Sequence, residues 1–72
     1  MSGRPVKRSL TLKGHRTSVS LEDVFWAEFR NIAAKRNMHI NALACEVDVE
    51  RDVDVGLASA IRVYVLEEIR KT

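Results

Sequence analysis

The sequence predicts a small, mainly α-helical domain with one N-terminal β-strand, completed by a second chain. Three observations carry this expectation. Residues 16–21, RTSVSL, alternate polar and apolar side chains at the period of a strand and run at once into the helical pattern that opens LEDVFW. The chain has only 72 residues, and a single core of that size rarely supplies more than about 3–5 kcal/mol without a disulfide, a metal or a partner subunit. The last helical run, GLASAIRVYVLEEIRK, is apolar over much of its girth and calls for cover on more than one side.

Of the three stabilisers, the partner subunit is the one left standing. Cys45 is the only cysteine, so no disulfide forms within the chain, and it reads as a small core residue in a reducing compartment. One cysteine and two separated histidines, His15 and His39, do not make a four-ligand zinc set. No cofactor or metal is expected. No apolar run approaches the ~20 residues that span a bilayer, and the N-terminus lacks a secretory signal, so a soluble cytoplasmic protein is expected.

The net charge of +2 conceals an asymmetry. Arg4, Lys7, Arg8, Lys13 and Arg16 make the first twenty residues basic with no acid among them, while the remaining seven Lys and Arg face all ten acids. A basic segment beside an acidic body points to a polyanion on one side.

The elements follow in order. Residues 1–8 (MSGRPVKR) are expected to be a flexible basic arm, with the domain proper over 9–72. Across SLTLKGHRTSVSL the alternation changes phase, with Leu10 and Leu12 at even positions and Thr17, Val19 and Leu21 at odd ones. A bulge or kink at Gly14 is expected in preference to a tight hairpin at Lys13-Gly14, which lacks the favoured Asn-Gly or Asp-Gly. The first helix is expected to start at a capping-box-like Ser20–Asp23 pair and to carry Phe25, Phe29, Ile32 and Ala33 on one stripe. It should end near Arg36, with Asn37 as a left-handed stop, and Trp26 lies off its stripe. A second helix begins near His39–Asn41 with Ile40, Leu43, Ala44 and Val47 inward, and is expected to break near Arg51 within the alternating VDVERDVDV. Its acids do not make a calcium loop, because Val63 stands where a loop starting at Asp52 needs Glu. The third helix runs from Gly56 with Leu57, Ala60, Ile61, Tyr64, Val65 and Ile69 on one face.

An isolated strand leaves its backbone groups unpaired, and the economical partner is a second copy of the strand across a two-fold axis. Thr17, Val19 and Leu21 then point into a shared core, where Phe25, Phe29, Ile32, Leu43, Ile61 and Val65 are also expected, and Arg16, Ser18 and Ser20 form a row on the outer face. A two-stranded ribbon fits the major groove of DNA, where Arg bridges guanine O6 and N7 and Ser hydroxyls donate or accept at several bases. An ordinary exposed polar face is the competing reading.

The order of a basic alternating strand, a helix ending AAKRN and a second helix starting HINALACEV resembles the ribbon-helix-helix family of dimeric DNA-binding proteins, of the Arc and MetJ type. GHRTSVSLEDVFW, the Asn-Ala-Leu step at 41–43 and SAIRVYVLE at 59–67 resemble a compact bacterial subgroup of it. The resemblance implies an intertwined homodimer with an intermolecular antiparallel ribbon, here with an added third helix. It implies base contacts at Arg16, Ser18 and Ser20, and a phosphate clamp at His39, Ile40 and Asn41, where His39 replaces the family's usual Ser or Thr. Lys7, Arg8 and Lys13 are placed to grip flanking phosphates. The implied function is a sequence-specific transcriptional regulator, most simply a repressor, on a palindromic or inverted-repeat operator, with pairs of dimers able to assemble there. The acidic break and third helix are expected to complete the dimer core or to meet another protein. The alternative is an antitoxin-like or adaptor module with secondary DNA binding or none; the short segment beyond the third helix argues against the antitoxin version. An enzyme is not expected, since no nucleophile-base-orienter set and no phosphate-binding glycine loop is present.

Overall fold

The computed structural model describes residues 3–71, so Met1 and Ser2, the start of the expected arm, lie outside the described residues. Two strands, β1 (Val6–Leu12) and β2 (His15–Leu21), pair antiparallel within the chain, and three helices follow: α1 (Asp23–Lys35), α2 (Ile40–Glu50) and α3 (Leu57–Arg70). The expected arm therefore gives up residues 6–8 to a strand, and the domain carries two strands rather than one.

The hairpin explains the phase change without a bulge. Lys13 and Gly14 alone connect the strands, with φ of 52° and 81°. Two positive φ values in a two-residue loop are the signature of a type I′ turn, whose twist matches that of the strands it joins. Leu10 stands opposite Thr17 and Arg8 opposite Val19. Residues that face each other across a ladder share a face of the sheet, so even positions of β1 and odd positions of β2 lie on the same side. The expectation of a bulge or kink is thus corrected. Lys13 takes the left-handed conformation that Asn would adopt more cheaply.

The start of α1 also differs from expectation. Ser20 is still in β2, two residues too early to cap, and the N-cap is Glu22, whose side chain makes no capping bond and instead accepts from Arg62 Nε at 2.9 Å. The far end behaves as expected: Asn37 has φ 57°, its N–H donates to Ala34 O at 3.0 Å, and Met38 N–H donates to Ala33 O at 2.8 Å. That pair of bonds is a Schellman motif closed by a left-handed Asn. α2 ends at Glu50 with Arg51 as its C-cap, so the alternating acidic stretch is helix in its first half and turn in its second. Arg51 braces this turn, donating to Asp48 Oδ1 at 2.8 Å and to Val55 O at 2.6 Å.

One apolar cluster holds the layers together. Leu10, Val19 and Leu21 under the hairpin meet Phe29, Ile32 and Ala33 of α1, Leu43, Ala44 and Val47 of α2, and Ile61 and Val65 of α3. Phe29 and Tyr64 cross edge to face at 6.2 Å, which adds about 0.5–1.5 kcal/mol to burial alone. Arg36 ties the helices on the outside, donating to Glu46 at 2.6 Å and to Tyr64 Oη at 2.9 Å. A single chain thus buries Val19, Leu21, Phe29, Ile32, Leu43, Ile61 and Val65 by itself. Of the residues expected in a shared core, Thr17 is exposed and Phe25 only half-buried. On α3, Val63 and Leu66 stay more than half exposed, and Ile69, expected on the inner face, is also exposed.

Candidate nucleic-acid interface

The face of the hairpin that turns away from the core is entirely polar. Arg16, Ser18 and Ser20 of β2 lie there, all exposed, as the alternation requires. The register sets Thr11 opposite Arg16, Ser9 opposite Ser18 and Lys7 opposite Ser20, and these are exposed too. The result is two parallel rows of hydrogen-bonding side chains, with a cation at one end of each row and Lys13 at the turn. No acid occurs in either strand. The row on β1 does not follow from the sequence reading, in which residues 6–8 belong to the arm and residues 9–13 can be either an added strand or a loose segment. Its own alternation of Lys7, Ser9 and Thr11 with Arg8, Leu10 and Leu12 is the signal that could have found it.

Backbone geometry makes the two edges of the hairpin unequal. In a hairpin closed by two residues the flanking pair, Leu12 and His15, exchanges its hydrogen bonds, and every second pair outward does the same. The intervening pairs, Thr11/Arg16, Ser9/Ser18 and Lys7/Ser20, aim their backbone groups at the outer edges. On the β1 side, Thr11 N–H donates to Asn41 Oδ1 at 3.1 Å, so the start of α2 covers that edge. On the β2 side, Arg62 donates to Ser20 O at 3.2 Å, while among the described residues no element beyond β1 pairs with β2 at Arg16 and Ser18.

The amino end of α2 is organised by two side chains. His39 is the N-cap, and its Nδ1 accepts from Asn41 N–H at 3.3 Å, which places the ring proton on Nε2. Asn41 reaches back to β1 through its Oδ1. There is no acid in the first turn, so the positive end of the helix is uncompensated by its own sequence. His39, Ile40 and Asn41 therefore stand together beside the Thr11 end of the ribbon.

Arg8, expected to grip phosphate, is engaged within the fold. It lies on the inner face of β1, forms an ion pair with Asp23, donates to Leu21 O at 3.4 Å, and stacks 5.5 Å above the Trp26 ring. Lys7 and Lys13 remain exposed. Arg62, which the sequence did not single out, closes the junction between strand and helix, bonding Glu22 and Ser20 O and lying 5.9 Å over Phe25. The hydrogen bond from Arg62 holds the Glu22 carboxyl below its ordinary range, and Arg36 does the same for Glu46.

The chain thus combines a hairpin with an acid-free polar face and three helices, the second of which starts beside that hairpin. The ribbon-helix-helix domain family matches residues 5–69, and the chain belongs to it. Domains of this family bind DNA and form dimers. No curated protein and no solved structure matches the chain. No helix among the described residues is long and apolar enough to cross a membrane.

Proposed function

We propose that the protein is a homodimeric, sequence-specific DNA-binding regulator, most simply a repressor that occupies its operator. The observation that carries this reading is the row Arg16, Ser18 and Ser20, exposed on a strand whose far edge, among the described residues, is unpaired beside Arg16 and Ser18. An unpaired edge is a template for another strand. A second copy of β2, antiparallel across a two-fold axis, satisfies it and sets two such rows about 4.8 Å apart, narrow enough for a major groove about 12 Å wide. The two-fold axis calls for an inverted-repeat site. His39, Ile40 and Asn41 then meet phosphate at the helix terminus, and Lys13 meets it at the turn.

The test is selection from a random duplex pool, with the wild type and with R16A/S18A/S20A in parallel. The proposal expects the wild type to enrich an inverted repeat that the triple variant loses while keeping sequence-blind binding. Enrichment of the same repeat by both proteins removes base reading from β2. Sedimentation at micromolar concentration should show a dimer, and a folded monomer that binds the repeat equally well contradicts the shared ribbon.

A further inference from the structure

We infer that β1 is a phosphate-gripping strand, with Ser9 and Thr11 as unassigned DNA contacts beside Lys7, so that the sheet reads bases with its centre and holds the backbone with its margins. The inference rests on the dimeric ribbon proposed above and adds what β1 does in it. Because Asn41 covers the β1 edge at Thr11, pairing with a second copy runs through β2. The sheet order is then β1-β2-β2-β1, with β1 outermost on both sides.

Dimensions decide what those outer strands meet. Neighbouring strands lie about 4.8 Å apart, so the two β1 strands are about 14 Å apart, each about 7 Å from the axis. The major groove is about 12 Å wide, which puts its walls about 6 Å from the axis. The β2 rows fall inside the groove, and the β1 rows fall over the sugar-phosphate walls. Lys7, Ser9 and Thr11 are the residue types that suit phosphate oxygens, a cation and two hydroxyl donors, on a face with no acid. The contact that covers the β1 edge has a second consequence. The Thr11–Asn41 bond sets the acid-free start of α2 against the same margin, so strand and helix terminus line one wall.

The experiment measures affinity for the wild-type-selected duplex and for a scrambled duplex over a range of salt, using S9A/T11V and K7A. Thr11→Val keeps the branched β-carbon, and both positions are exposed, so an unchanged unfolding midpoint checks the fold. S9A/T11V should bind both duplexes about tenfold more weakly and enrich the wild-type motif, because hydroxyl–phosphate bonds carry no sequence information. K7A should lower the salt slope by about 0.9 per chain. Thr11→Ser in place of Val should restore part of the loss. Enrichment of a different motif by S9A/T11V overturns the inference, because β1 then reads bases; unchanged affinity and slope in all variants overturn it, because β1 then lies off the DNA. A wild type that enriches no motif defeats the sequence-specific reading alone, and the uniform loss on scrambled duplex still decides the role of β1.

Discussion

Replacing Arg8 by Met separates a structural arginine from a DNA-binding one. The Arg8 side chain is 18% exposed and its partner Asp23 58% exposed, so their ion pair sits at the protein surface. Such pairs contribute about 0.2–1 kcal/mol. The guanidinium 5.5 Å from the Trp26 centroid adds about 0.5–1 kcal/mol. Against these stands the Arg8 Nε, which is buried without a partner and whose removal returns part of the loss. Methionine keeps an apolar stem over Trp26, and Asp23, being exposed, is not left as a buried charge. The net cost is about 1 kcal/mol, equivalent to a fall of about 4–8 °C in Tm for a domain of this size. The assay pairs thermal unfolding at fixed protein concentration with the salt dependence of duplex binding. The expected result is a lower Tm and an unchanged salt slope. A slope that drops by about 0.9 per chain with Tm unmoved would show that Arg8 swings out to phosphate, and would refute the inward placement.

Three further outcomes are expected. Arg62 holds the Glu22 carboxyl below its ordinary value, so its contribution is fully present above about pH 4.3 and is lost as pH falls through the lowered value; E22Q should flatten the acid limb of the unfolding midpoint, and an unaltered limb removes this pair from acid stability. Gly14 has φ 81°, so Gly14→Val should cost about 1–2 kcal/mol in chemical unfolding, whereas Lys13→Asn should raise stability by about 0.5 kcal/mol; a destabilising Lys13→Asn contradicts the type I′ turn. His39→Ala removes the cap on Asn41 N–H and should cost about 0.5–1 kcal/mol, while His39→Ser should recover it; equal stability of all three proteins means the cap contributes nothing.

Much of this architecture is legible along the chain because the signals are local. The stripe Phe25, Phe29, Ile32 and Ala33, the left-handed Asn37 and the outward row Arg16, Ser18 and Ser20 depend on nothing beyond a few neighbours in sequence. The end of α2 falls at the expected break near Arg51, although Val47 fits both the helical and the strand period and local pattern alone leaves the boundary open within residues 47–55. Tertiary structure decided the rest. Whether the phase change at Gly14 becomes a bulge or a turn depends on whether β1 and β2 can pair, and they pair because Leu10, Val19 and Leu21 share one buried face over α1, α2 and α3. Ser20 and Asp23 have the spacing of a cap, but strand pairing with Lys7 holds Ser20 in the sheet. Arg8 and Lys7 are adjacent cations that sequence treats alike; the pleat sends one to Trp26 and Asp23 and leaves the other on the polar face. Alternation determined which side chains share a face, because that is a property of the backbone. Which face turned inward, and which edge was left open beside Arg16 and Ser18, was decided only when the helices packed, because burial and strand pairing join residues distant along the chain.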